Sequence, residues 1–95
     1  MTGTIYTKKH EEIISIIFGQ ADGTNQLIKE LKEDNTHKEQ IIDIALREIR
    51  ILSYNSYNMV KYAREKDLIT YDESIHIYEF TDKQIRSIYN ELQKL

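Results

Sequence analysis

The chain contains no proline, and its three glycines, Gly3, Gly19 and Gly23, all precede residue 24. Proline and glycine are the strongest local interrupters of regular backbone, so this distribution predicts long elements without a flexible internal linker. Ninety-five residues make a single domain, 1–95, with one modest core. A domain this small gains from a partner, and a homodimer is the expectation.

Cysteine is absent, which removes disulfides, thiolate metal sites and cysteine nucleophiles and fits a cytoplasmic protein. No run approaches the roughly 18 apolar residues that span a bilayer, so no membrane partner is expected. Thirteen Lys and Arg stand against sixteen Asp and Glu, a formal net charge of −3. Non-specific DNA affinity comes from basic charge that releases counterions, so any DNA contact here must use a local surface.

Residues 1–7 are Thr-rich and read as a short arm. The run from Lys8 to Phe18 places Ile13, Ile16 and Ile17 on one face, with Glu11 and Glu12 where a helix dipole favours acids. Gly19 to Gly23 predicts a turn, followed by a second helix capped by Asp22 or Thr24 and burying Leu27, Ile28 and Leu31. Asn35 reads as a stop and Thr36 as an N-cap with Glu39 three residues on. A third helix from near His37 carries Ile41, Ile42, Ala45, Leu46 and Ile49 at core-facing spacing.

A helix continuing to Lys66 would run for roughly 29 residues, long against the usual 11–12, so a break near Leu52 is expected, with Ser53 as the next N-cap. The fourth helix, Tyr54 to Lys66, has a thin apolar stripe of Val60 and Ala63, extended by Met59 or Tyr57. Asp67 follows, a residue that tolerates the left-handed backbone ending many helices. Leu68 to Tyr71 then reads as a strand, Asp72-Glu73-Ser74 as a polar tip, and Ile75 to Phe80 as an alternating second strand rich in aromatic and β-branched residues. Thr81 with Gln84 three later forms a capping box for a C-terminal helix, 81–95, whose stripe is Ile85, Ile88, Tyr89 and Leu92.

Two motifs in residues 52–84, Lys66-Asp67-Leu68-Ile69 and Tyr78-Glu79-Phe80-Thr81-Asp82-Lys83-Gln84, resemble the winged helix-turn-helix family. The likeness is to the small transcription regulators common in archaea and their viruses and plasmids. Asp67 and Gln84 stand where that family carries glycine, and the tip Asp72-Glu73 is acidic where wings that grip phosphate carry Lys or Arg. The resemblance implies a mainly α fold of about five helices with a β-hairpin wing near 68–80 and a recognition helix at about 53–66. It implies sequence-specific binding of double-stranded DNA by a dimeric transcription regulator.

In that arrangement Asn55 and Asn58 are the candidates to read bases, since Asn pairs bidentately with adenine. Lys61 and Arg64, with Lys66 behind them, would contact phosphates, and Ser53 and Tyr54 would lie near the backbone. Ile85, Ile88, Tyr89 and Leu92 would form the dimer interface. The plainer reading of the same residues is a solvated helix face with tyrosines covering the core edge. Arg47 and Arg50 could extend the basic surface or satisfy a helix C-terminus, and Lys8 and Lys9 could form a basic arm or a frayed end.

Catalysis has little support. His10, His37 and His76 fall on separate elements, with no paired-histidine zinc motif, no nucleophile motif and no glycine-rich phosphate loop. No enzyme activity, metal or cofactor is expected. The alternative to DNA binding is a protein-binding module or inhibitor, such as a phage inhibitor, an antitoxin or an immunity-type helical protein. Net negative charge and the acidic tip favour it.

Overall fold

In a computed structural model of the chain, residues 6–34 and 36–95 are described. They form α1 (Lys8–Glu33), α2 (Lys38–Glu65) and α3 (Tyr71–Gln93). Each helix packs against both others. Thr7 meets Glu73 at one end and Lys32 meets Glu91 at the other, so α1 and α3 run parallel with α2 antiparallel between them.

No strand occurs among the described residues. The winged fold with a hairpin at 68–80 and about five helices is therefore overturned: the bundle is all α, and three expected breaks are absent. Gly19 and Gly23 lie inside α1, each with nothing within 4 Å of a Cβ built there. An interior glycine costs a helix about 1 kcal/mol against alanine. That penalty is outweighed because Ile17, Ala21, Thr24 and Ile28 continue one buried stripe straight past both positions.

The second break fails for the same reason. Ala45, Ile49, Leu52, Ser56, Val60 and Ala63 are buried in steps of three and four along α2, so a break at Leu52 would turn half of them out of the core. Ser53 sits mid-helix and exposed, not at an N-cap. Burial of a common stripe overrides the length expectation.

At the third, Thr70 is the N-cap of α3 and makes a reciprocal capping box with Glu73. Asp72 and Glu73 thus occupy a first helical turn, where acids are favoured, and are not a hairpin tip. Buried positions Ser74, Ile77, Thr81 and Ile88 keep helical spacing through the segment expected to be strand. Strand preference mostly reflects burial on a pleated surface, and here the buried surface is a helical stripe. Thr81 is not a cap: its hydroxyl donates to the Ile77 carbonyl at 2.8 Å in mid-helix.

Helix α2 ends as Asp67 foretold. Its φ is 55°, Leu68 N–H donates to Ala63 O at 2.8 Å, and Asp67 N–H donates to Arg64 O at 3.1 Å, the paired bonds of a Schellman cap. Ile69 plugs the end of the core. Thr36 is not the N-cap of α2; His37 holds that position without a side-chain capping bond. The expected stop at Asn35 and residues 1–5 of the arm lie outside the described residues.

Isoleucines Ile13, Ile17, Ile28, Ile77 and Ile88 fill the bundle axis, each fully enclosed. Each stabilises the fold by about 1.5–3 kcal/mol relative to exposure. Ile16, expected to join them, is instead 49% exposed. One hydrogen bond crosses the buried interior from α2 to α3, Ser56 Oγ to Thr81 Oγ1 at 2.8 Å. Because Thr81 already gives its only hydroxyl proton to Ile77, Ser56 is the donor.

Candidate functional site

Outside the core, α2 carries Arg50, Tyr54, Tyr57, Lys61 and Arg64 in steps of four, three, four and three, all exposed. Helix α3 carries Tyr71, Ile75, Tyr78, Asp82, Ile85 and Tyr89 at the same spacing, only Ile85 being half-buried. Residues so spaced share one face of a helix, so each set is a continuous stripe.

The antiparallel packing brings the stripes side by side. Near one end the Arg64 guanidinium lies over the Tyr71 ring, 6.0 Å from its centroid, while its Nη1 donates to Ile69 O at 3.2 Å. In the middle Tyr57 stands close enough to Tyr78 to matter electrostatically: burial pushes the Tyr78 hydroxyl above the ordinary tyrosine range and the Tyr57 phenol adds to the shift. Towards the other end Arg50, Ser53, Tyr54, Tyr57, Ile85 and Tyr89 line a shallow groove floored by Ile49. The face therefore offers five tyrosine rings, aliphatic Ile75 and Ile85, and three cations.

Those cations are not neutralised by acids. Among the described residues none of Arg50, Lys61 and Arg64 lies within 4.0 Å of a carboxylate, whereas Asp82, the acid of the stripe, is engaged by Arg86 at 2.9 Å. Tyrosine suits such a face because its ring is apolar and its hydroxyl stays wet.

The residues expected to contact DNA do not stay together. Tyr54, Lys61 and Arg64 belong to the α2 stripe facing α3, and Ser53 joins its groove. Asn55 falls on the opposite flank of α2, in line with Ile51 and Tyr62 and half-buried there, whereas Asn58 is exposed between that line and the stripe. Asn55 thus points away from the proposed phosphate contacts, while Asn58 borders them. Helical spacing alone carried that difference, since Asn55 stands about 160° round the helix from Tyr57 whereas Asn58 lies three residues before Lys61.

The expected dimer stripe also divides. Ile88 is fully enclosed in the bundle, Ile85 and Leu92 are half-buried, and Tyr89 is exposed. Tyr71, Ile75 and Tyr78 were assigned to a wing and so escaped notice; their spacing of four and three was the available signal. Arg47 is exposed, Lys8 opens α1, and Lys9 pairs with Glu12 at 3.5 Å.

His10 and His76, distant in sequence, meet between α1 and α3, while His37 stands apart at the start of α2. Among the described residues no three of His, Cys, Asp and Glu are placed to hold a metal ion. No helix there is long and apolar enough to cross a membrane. Comparison of the chain with protein-family models, curated proteins and solved structures finds no match, so the face between α2 and α3 has to be read on its own chemistry.

Proposed function

We propose that the protein is a non-catalytic binding module, acting in the cytoplasm, whose α2–α3 face docks an acidic amphipathic helix of a partner protein. The observation that carries this reading is the pair of parallel stripes, Arg50-Tyr54-Tyr57-Lys61-Arg64 beside Tyr71-Ile75-Tyr78-Ile85-Tyr89. Tyrosine and arginine dominate the energetics of protein interfaces, and a groove between two helices accepts a third helix by its apolar edge. The three cations, none held by a carboxylate among the described residues, select for carboxylates flanking that edge.

Selection from a displayed library of amphipathic helical peptides of varied charge tests the reading. Enriched peptides should carry Asp or Glu beside an aliphatic or aromatic stripe. They should bind the double variant Tyr54→Ala/Tyr89→Ala about tenfold or more weakly, the scale of a lost anchor residue. Both side chains are exposed, so the variant should keep the wild-type circular dichroism. Enrichment of neutral or basic peptides, or equal binding to the variant, would refute it.

The second reading is binding of double-stranded DNA by a regulator, favoured by the alignment of Arg50, Lys61 and Arg64 on one stripe. Tyrosines between the cations, a net charge of −3 and the missing wing weigh against it. Labelled duplex titrated across salt concentrations separates the two. Binding at low salt that is lost in Lys61→Ala and Arg64→Ala would transfer the face from protein to DNA.

A further inference from the structure

At the end of the bundle where α1 and α3 begin, five side chains that the binding face does not use form one cluster. His10 is 2% exposed, and its Nε2 shares a hydrogen bond with His76 Nδ1 at 2.8 Å. Tyr6 stacks over both rings, with centroids 4.1 Å from His10 and 5.2 Å from His76. Beside them Glu73 accepts from Thr7 N–H at 2.7 Å and from Thr7 Oγ1 at 3.0 Å, holding the α1 N-cap on α3.

His10 Nδ1 is buried and has no hydrogen-bond partner. A bare lone pair is tolerable there, whereas an N–H would be a buried donor without an acceptor. The arrangement therefore selects neutral His10 with its proton on Nε2, donated to His76. Protonating His10 creates the orphaned Nδ1–H; protonating both rings also removes the acceptor and sets two like charges against each other.

The charges around the pair do not cancel this. Glu11 on α1 and Glu73 on α3 favour a proton on His10, but burial and the neighbouring His76 outweigh them and hold His10 below the ordinary histidine value of 6.5. The groove that His76 rims holds Glu79 and Asp82 with Lys83 and Arg86, two acids and two bases. The α2 residues buried towards this end, Val60 and Ala63, are uncharged.

We propose that the His10–His76 pair is an acid-sensitive latch, closing the N-terminal segment Tyr6–Thr7 and the first turn of α1 onto α3 at neutral pH and releasing them on mild acidification. In the open state His10 has about its ordinary value of 6.5 and in the closed state a lower one, so acidification raises the opening equilibrium by at most the factor 1 + 10^(6.5 − pH). Between pH 7.5 and pH 5.5 that factor rises about tenfold. Glu73 remains ionised throughout this range, because its carboxyl is held below the usual carboxylate value.

Amide hydrogen exchange on the full chain, corrected for intrinsic rates, reads the latch at Thr7, His10 and Glu11. In the wild type their protection should fall from pH 7.5 to pH 5.5, by up to about tenfold. In His10→Gln, whose amide mimics Nε2 but takes no proton, the ratio should be close to one. In His76→Asn, whose amide oxygen replaces the Nδ1 acceptor but carries no charge, the ratio should lie between those of the wild type and His10→Gln. Wild-type protection equal at both pH values, or an unchanged ratio in whichever variant folds, would overturn the proposal.

Discussion

Replacing Glu73 tests the junction on which the bundle's topology depends. Glu73 is 4% exposed and its carboxylate accepts three hydrogen bonds: one from Thr70 N–H at 2.8 Å, which is its part of the α3 capping box, and two from Thr7, N–H at 2.7 Å and Oγ1 at 3.0 Å. In Glu73→Ala the capping box is lost, worth about 1 kcal/mol. The Thr7 donors lose a charged acceptor, worth about 2 kcal/mol more. A loss of about 3 kcal/mol in a domain of this size lowers Tm by about 12–24 °C. Thermal melts followed at 222 nm at pH 7 give the number.

The same side chain predicts its own pH dependence. Burial raises the Glu73 carboxyl pKa, but the bonds from Thr70 and Thr7 outweigh burial and leave it below the usual carboxylate value of 4.5. The unfolded chain then takes up the proton first as pH falls, so the stabilisation is complete above about pH 4.5 and is lost below it. The Tm gap between wild type and Glu73→Gln should accordingly narrow from pH 7 to pH 3. A Glu73→Ala shift smaller than about 3 °C, or a gap constant over that range, would refute the reasoning.

Gly19→Ala and Gly23→Ala should each stabilise the protein by about 0.5–1 kcal/mol, read as a higher urea midpoint, because both sites are helical and open to a Cβ. Asp67→Gly should raise the same midpoint by up to about 1 kcal/mol, since the left-handed φ of 55° strains any residue with a Cβ. Thr81→Val should cost about 1–3 kcal/mol by leaving the Ser56 hydroxyl without its acceptor. Ser56→Ala/Thr81→Val should then cost less than the two single changes together, a coupling measured by a double-mutant cycle.

Much of the buried stripe was legible residue by residue. Ile13, Ile17, Ile28, Leu31, Ala45, Ile49, Val60 and Ala63 were all expected inside and all are buried. Asp67 announced the end of α2 through a local backbone preference, which needs no tertiary partner to operate. The absence of proline and of late glycines likewise pointed to long elements, and the helices are long. Where that signal conflicted with typical helix length at Leu52, or with β-branched density at Ile75–Phe80, the weaker statistical preference was followed.

The candidate site was half legible. Tyr54, Lys61 and Arg64 stand out from the α2 sequence, but their neighbours Tyr71 and Tyr78 belong to a helix whose local sequence reads as a hairpin.

Local chemistry thus determined many of the residues that would be buried, though not Ile16 or Leu46, as well as where α2 would stop and that the chain would form helices over most of its length. Tertiary structure decided how many helices there are and what their outer faces share. A short segment such as Ile75–Phe80 satisfies period 2 and period 3.6 almost equally well. Only the common core reached by Ile77, Thr81 and Ile88 selects between them. The tyrosine-lined face and the His10–His76 pair exist only once α2 lies against α3 and α1 against α3. Each joins residues far apart in sequence, and no local preference encodes their meeting.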